Sequence, residues 1–558
     1  MFFANARAAA FLAMLAAGTA LAAAPARNGP PPGQAADAEA GRRLYMEGLL
    51  ASGTPLKGTV RGGEQLTGQP AACASCHRRS GLGLVEGGMT SLPVTGDILY
   101  RPVWRGRPEM DMARTTGPNA RPAYTDESLA QALVSGAGAN GIALDPGMPR
   151  YALPDADVRN LVAYLKTLSS KASPGADAST IRFATIVAGD VPPERRKALV
   201  DVMETFVREK NAGTRYEERR RTRPPMDMEF EYIRYRDWIL DVWTVAGPPS
   251  TWRAQLDALY SKQPVFAILS GVAEGSWTEI HEFCEATRVP CVFPTTDLPV
   301  VDASDFYSVY FMRGMSLEGE VLASYVKSRP DEAPGGLVQV HREGRPGATA
   351  ATALGRGALA SGRQAATVAL PPGEAASPAF WERLAAAHPG ATLAVWLEAA
   401  DLVSLESLGA AQPGPARLFL SSSLVPSGAS LVPASLRART RLVHPFESPD
   451  QFDLHVQRTR TWLRSRKIAS PRDERLQVEA FFAVSLVNEA LMHNYNFFVR
   501  EYLLEQFERM VPSMVVTAYY PGITLGAGQR FGSKGAYIVK PGDRPESPST
   551  VVSGWIVP

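Results

Sequence analysis

Five consecutive residues carry the clearest chemistry in the sequence: Cys73-Ala74-Ser75-Cys76-His77. Two thiols three positions apart can each add to one vinyl group of a single haem. The imidazole directly after the second thiol can then reach the iron from the proximal side. In 558 residues with four cysteines and seven histidines, a chance match to C-x-x-C-H has odds of about 3 in 10,000. A structural thiol pair or a dithiol redox motif would not call for the histidine. The expectation is one covalently attached haem c, tethered through Cys73 and Cys76, with His77 on the iron.

A second axial ligand has to come from elsewhere in the same region. Met46, Met89, Met110, Met112 and Met148 are the methionines near the motif. Met89 follows His77 by only twelve residues, which is tight for a loop that must cross a haem. Met110 and Met112 sit in a polar stretch and compete. Met148 lies in Asp145-Pro146-Gly147-Met148-Pro149-Arg150-Tyr151, where prolines stiffen the loop on both sides. A thioether is a soft, neutral ligand that favours the ferrous state. Met148 is the expected distal ligand.

These residues need elements to hold them. Glu39–Leu50 has helical periodicity with Gly41, Leu44 and Tyr45 on one face, and 125–134 reads as a helix capped by Thr125. Asp155–Leu168 is amphipathic, with Val158, Leu161, Val162, Leu165 and Leu168 at helical spacing. Ahead of them, Arg7 followed by the apolar run Ala8–Ala17 and Ala20-Leu21-Ala22 reads as a secretory signal over residues 1–22. Residues 23–38 form a Pro/Gly/Ala-rich leader. Export to the periplasm agrees with the haem reading, because haem is attached after export. No later run approaches the roughly 20 apolar residues of a membrane span.

With these elements in place, residues 39–171 resemble a class I cytochrome c. The Gly41/Tyr45 helix is similar to that family's first helix, and the Leu161/Tyr164/Leu165 helix to its last. Met148-Pro149-Arg150-Tyr151 with Leu153–Val158 is similar to its axial-ligand loop and helix start. The resemblance implies an all-α domain, a low-spin His/Met haem and electron transfer. It also implies a proline carbonyl holding the proximal imidazole, for which Pro93 is the candidate. The long insert between His77 and Met148 departs from the family pattern.

After the linker 172–180 the texture changes to alternating strand and helix, as in a parallel sheet covered by helices on both faces. Short strands are expected at 181–188, 228–238, 265–269, 290–293, 336–340, 367–370, 393–397 and 418–421. Between them fall helices at 193–210, 252–263, 277–288 and 316–327. Residues 181–541 resemble type I periplasmic solute-binding proteins of the branched-chain amino-acid receptor kind, a two-lobed α/β fold of ABC transporter systems. Val265–Gly271, Ser276-Trp277 and Val289–Asp297 carry the likeness. Mapped residue by residue, it implies Ser276, Trp277, Thr295, Thr296 and Asp297 as ligand-gripping positions. A helix start favours an anion, and ligands of open α/β sheets sit beyond the strand carboxyl ends. Residues 542–558 are read as a tail.

Other features are plainer. Cys284 and Cys291 are expected either to pair as a disulfide in an oxidising compartment or to serve as buried apolar residues. His281 reads as a helix-surface residue, and the later histidines show no metal spacing. The basic run Arg215–Arg223 contains two glutamates and reads as a solvated loop. A net charge of +2 argues against a nucleic-acid partner. There is no nucleophile elbow, P-loop or dinucleotide fingerprint. The expected function is an exported monohaem electron carrier rather than an enzyme, joined to a module that binds a small solute or docks a redox partner. The alternatives are a ligand sensor with the haem as redox reporter, and a haem enzyme with an open coordination site.

Overall fold

The computed structural model describes residues 36–86, 89–104, 120–221, 236–300, 305–426, 428–493, 497–513, 519–545 and 547–558. The expected signal peptide and nearly all of the leader lie outside them, as do Met110 and Met112. The chain forms two compact units. One takes the residues up to Ser75 and Thr125–Thr167, and the other takes Cys76–Tyr124 and Leu168–Pro558. This division does not follow the linear boundary expected near 171. Leu82, Ile98 and Val103 share a small apolar cluster with Phe497, Val499 and Tyr502, so the segment after His77 packs with the second unit.

In the first unit, α1 (Ala38–Glu47) packs against α3 (Asp155–Thr167), with α2 (Asp126–Ser135) beside α3. Asp37 caps α1, its Oδ1 accepting from the amides of Glu39 and Ala40 at 2.9 and 3.2 Å. Gly48 ends that helix at φ +66°, three residues before the expected end. The helices cross closely because position 41 has no side chain: a Cβ there would lie 2.0 Å from the Asn160 carbonyl oxygen. Tyr45 and Tyr164 pack beside the crossing with ring centroids 5.2 Å apart. Thr125 caps α2 in a reciprocal pair with Ser128, as its sequence position implied. The unit is not purely helical. Lys57–Thr59 pairs antiparallel with both Gln65–Thr67 and Arg150–Tyr151. These strands are two or three residues long, too short to show an alternating pattern in the sequence.

The second unit contains two larger sheets. In the first, β1 (Thr180–Ala188) pairs in parallel with β2 (Asp237–Val245) along one side, and with β3 (Ala267–Leu269) and β4 (Val272–Ala273) along the other. Then β5 (Cys291–Val292) and β6 (Ser308–Val309) extend the sheet, also in parallel. Helices α4 (Pro193–Arg221), α5 (Trp252–Lys262) and α6 (Thr278–Thr287) alternate with these strands. The expected strand 228–238 begins instead at Asp237, and residues 222–235 lie outside the description. Part of the basic run belongs to α4 rather than to a loop.

Crossing by α7 (Gly314–Ser328), the chain enters the second sheet. Its parallel strands are β7 (Leu337–Arg342), β8 (Ala365–Leu370), β9 (Thr392–Trp396), β10 (Arg417–Ser421) and β11 (Thr440–His444), in the order β8-β7-β9-β10-β11. Helices α8 (Gly347–Ala360) and α9 (Pro378–Ala387) lie between strands in the chain. After β11 come α10 (Phe452–Ser465), α11 (Glu474–His493) and α12 (Arg500–Met510). Two antiparallel strands, β12 (Tyr537–Lys540) and β13 (Thr550–Val551), close the sheet edge beside β11. The residues read as a tail therefore form part of this sheet: β13 lies within 542–558, and Ala536 bridges Ile556. Parallel strands buried on both faces explain runs such as Thr392–Trp396, in which every residue is buried. Among the described residues no helix is long and apolar enough to cross a membrane.

Candidate haem and ligand sites

Cys76 and His77 lie on one short helical turn, Ala74–His77, with Cys73 immediately before it; the approach is the 3-10 turn Gln69–Ala71. Ser75 Oγ donates to the Gln69 carbonyl at 2.9 Å and ties this turn to its approach. Neither Cys73 nor Cys76 is in a disulfide. The His77 Nδ1 lies 2.8 Å from the Leu92 carbonyl oxygen. A carbonyl can only accept, so Nδ1 carries the proton and the Nε2 lone pair is left to ligate. Burial lowers the His77 pKa, partly offset by the Leu92 bond, and keeps the ring neutral. The expected acceptor was the carbonyl of Pro93; it is that of the residue before it. Leu92 directly follows Met89–Ser91, which pairs with Leu84–Glu86 in a hairpin, and this register turns the Leu92 carbonyl toward the ring.

Met148 sits half-buried in the loop leading to Arg150–Tyr151. The Asp145 carboxylate accepts from Gly147 N at 2.7 Å, and the Asp145 carbonyl from Met148 N at 3.0 Å. The Arg150 guanidinium donates to the carbonyls of Met148 and Leu144. Tyr151 OH donates at 3.0 Å to the carbonyl of Ala71, two residues ahead of Cys73. The structure thus ties the Met148 loop to the approach of the cysteine motif. Met46 lies half-buried on α1.

These residues fit a c-type haem. One thiol lies on a helical turn and the other immediately before it, the His77 imidazole has its Nδ1 fixed and its Nε2 spare, and the Met148 loop is bonded through Tyr151 to Ala71. Cys73 and Cys76 would hold the macrocycle and His77 the iron, while Met148 is the distal ligand that the sequence leads one to expect.

The five expected ligand-gripping residues of the second unit have different fates. Ser276 Oγ accepts from Thr278 N at 3.2 Å and meets Thr278 Oγ1 at 2.6 Å, a local turn at the start of α6. The Trp277 side chain is fully buried among Ile186, Ile280 and Phe283, as a core residue. Thr296 Oγ1 accepts from Leu298 N within its own turn at 3.1 Å. Thr295 is held by its backbone, donating to Gly271 O at 2.9 Å, while its hydroxyl is enclosed. Asp297 forms an ion pair with Arg475 of α11 at 2.9 Å.

Sequence reasoning missed the groups around Asp297. Arg475 also pairs with Glu479 at 2.8 Å, and Tyr520 OH donates to the same Glu479 oxygen at 2.6 Å. Phe446 lies beneath the guanidinium at 5.2 Å. Glu318 of α7 is fully buried beside the hydroxyls of Ser423 and Ser421. Burial pushes its carboxyl up to about 7, against the lowering effect of those hydroxyls. Asp297 and Tyr520 lie in turn-rich stretches, and only the i,i+4 spacing of Arg475 and Glu479 was visible.

His281 is not on the surface. Its Nδ1 meets Tyr310 OH at 2.8 Å and its Nε2 meets Asp305 Oδ2 at 3.1 Å. Glu285 lies close to both His281 and Asp305. Its carboxylate accepts the amides of Phe306, Tyr307 and Ser308 at 3.1, 3.1 and 2.7 Å, so it anchors the approach to β6. Cys284 and Cys291 are fully buried, reduced and in mutual hydrogen-bond contact. Burial, then the neighbouring thiol, holds the Cys284 pKa well above its ordinary value.

Residues 60–169 match the cytochrome c family model. The match spans the cysteine motif, Leu92, Met148 and α3. No curated protein sequence matches the chain. Solved structures similar to it include a fatty acid ABC transporter substrate-binding protein from Thermomonospora curvata, with 13% identity and TM-score 0.45, covering 70% of this chain and 95% of that one. A putative branched-chain amino acid ABC transporter from Rhodospirillum rubrum has 14% identity and TM-score 0.45, covering 67% and 100%. A leucine binding protein from Thermotoga maritima has 12% identity and TM-score 0.45, covering 68% and 99%.

Proposed function

We propose that the protein is an exported, periplasmic, monohaem c-type cytochrome that carries single electrons. The observation that carries this reading is the C-x-x-C-H turn with its proximal imidazole already oriented by the Leu92 carbonyl. The bound haem would supply one-electron transfer between its ferric and ferrous states. The chain's own residues do the rest. Cys73 and Cys76 retain the group covalently. The Leu92 bond fixes the His77 tautomer and strengthens it as a ligand. The Asp145 turn, with Arg150 clamping the loop, holds the Met148 backbone in place. Catalysis of bond chemistry forms no part of this reading.

The second unit, in this reading, is a two-lobed solute-binding-like module that takes a small polar solute or docks a redox partner. Asp297 is already paired with Arg475 through Oδ1, so a solute gripped by that carboxylate would share it with the guanidinium or compete for it. Mass spectrometry of the exported chain tests the haem assignment: the holoprotein mass must exceed the polypeptide mass by one haem, and Cys73→Ala with Cys76→Ala must abolish the increment. A bare polypeptide mass in the parent would end the redox reading. A thermal-shift screen with amino acids, carboxylates and alcohols separates solute binding from docking, since a bound solute raises the melting temperature.

A further inference from the structure

We propose that Glu505 and Glu508 of α12 are positioning residues for the proximal haem ligand His77, so that the second unit helps set the reduction potential of the iron. The inference rests on the haem reading above and adds to it a second-unit helix lying more than 400 residues further along the chain.

The connection begins next to the ligand. The Arg78 guanidinium, one residue after His77, is paired with Glu508, whose other oxygen is paired with Arg530. Two residues on, both polar groups of Ser80 are held by Glu505: the amide donates to Oε1 at 2.8 Å and the hydroxyl to Oε2 at 2.6 Å. Ser80 and Glu505 are both buried. Beyond Ser80 the chain returns to His77. The Gly83 amide donates to the His77 carbonyl at 3.1 Å, and the Val94 amide to the Gly81 carbonyl at 2.7 Å. The hairpin between these points delivers the Leu92 carbonyl to His77 Nδ1. The shell that orients the imidazole is therefore fastened at Ser80 and Arg78 to two carboxylates on α12.

Helix α12 is in turn fixed at its other end. Arg500 donates to the carbonyls of Val265 and Phe266 ahead of β3, of Arg288 after α6, and of Pro174, at 2.6, 3.1, 3.2 and 3.0 Å. Tyr307 OH donates to Glu501 at 2.5 Å. A helix anchored at both ends transmits displacement rather than absorbing it. The two carboxyls also act by charge. A buried negative charge fastened to the residues that follow His77 would favour the ferric state of a bound haem iron, and low local dielectric would strengthen that effect. Burial makes Glu505 a carboxyl that titrates at about 7, with Ser80, Arg78 and Glu508 facing it.

The test uses full-length holoprotein and measures the reduction potential by spectroscopic titration at pH 8, alongside the melting temperature. E505Q and E508Q are each expected to raise the potential while retaining one covalent haem. The control D241N, which removes a carboxylate paired with Arg182 on β1, leaves the potential at the parent value. A purely structural role predicts lower melting temperatures with unmoved potentials, and that result overturns the proposal. If either glutamine variant yields no holoprotein, Ser80→Ala decides by the same measurement: a moved potential supports the proposal and an unmoved one refutes it. A parent without covalent haem would fail the functional reading itself, which the mass measurement has already distinguished.

Discussion

Replacing Glu318 with glutamine keeps the shape of the side chain and removes its charge. The carboxyl is fully buried on α7, and burial raises its pKa from 4.5 to about 7. In the unfolded chain the same group ionises near 4.5. The folded protein therefore holds a proton that the unfolded protein releases as pH rises above 4.5. Stability contributed by Glu318 is fully present below that value, declines between about 4.5 and 7, and is gone above. The gap is worth about 3 kcal/mol, at about 1.4 kcal/mol per pH unit. Glu318→Gln cannot ionise and escapes this loss. The expected result is that the variant gains about 3 kcal/mol on the parent between pH 4.5 and pH 8, whatever constant offset the amide introduces. Urea unfolding followed by tryptophan fluorescence reads it directly, because Trp252, Trp277, Trp381 and Trp396 are all buried in the second unit. The other titrating groups are common to both proteins and cancel. Parallel stability profiles for parent and variant across this range would refute the argument.

Three further outcomes are expected. His444 is held by burial at about 4, below its ordinary 6.5; stability should fall as pH drops from 6.5 toward 4, by about 3 kcal/mol. H444Q should flatten that part of the acid unfolding curve. Gly41→Ala drives a methyl into the Asn160 carbonyl and should cost about 3 kcal/mol by overpacking, seen as a lower melting temperature of the first unit by haem absorbance. The Cys284 and Cys291 thiols, both fully buried, should resist iodoacetamide in the native protein and react only in denaturant; rapid native labelling would contradict the packing.

What the sequence made legible was local. The C-x-x-C-H turn, the Thr125 cap and the second-unit strands near 181–188, 265–269, 290–293, 336–340, 367–370, 393–397 and 418–421 follow from residues within a few positions of each other. The strand expected at 228–238 begins instead at Asp237, and Thr440–His444 was not expected. The proximal carbonyl was placed one residue late, because the hairpin register that presents Leu92 depends on cross-strand pairing. The groups that surround Asp297 and Ser80 were invisible for a different reason. Arg475 lies 178 residues from Asp297 and Glu505 lies 425 residues from Ser80, and an ordinary amphipathic helix gives no sign of which distant partner its polar side chains will meet. The reading of Trp277 as ligand-facing failed because an indole at a helix start fills a core as readily as it lines a cleft.

The attachment of Ser80 and Arg78 to α12 has a consequence for how the protein is made. Synthesis delivers the two thiols more than 400 residues before the helix that carries Glu505 and Glu508, so the cysteine motif emerges long before the carboxylates that hold Ser80 and Arg78. Cutting the gene at the linker to obtain a minimal cytochrome would leave residues 78–83 without their carboxylate partners. Such a fragment is expected to show faster amide hydrogen exchange at Gly83 than the whole protein, and the same rate in both would show that the fastening is dispensable.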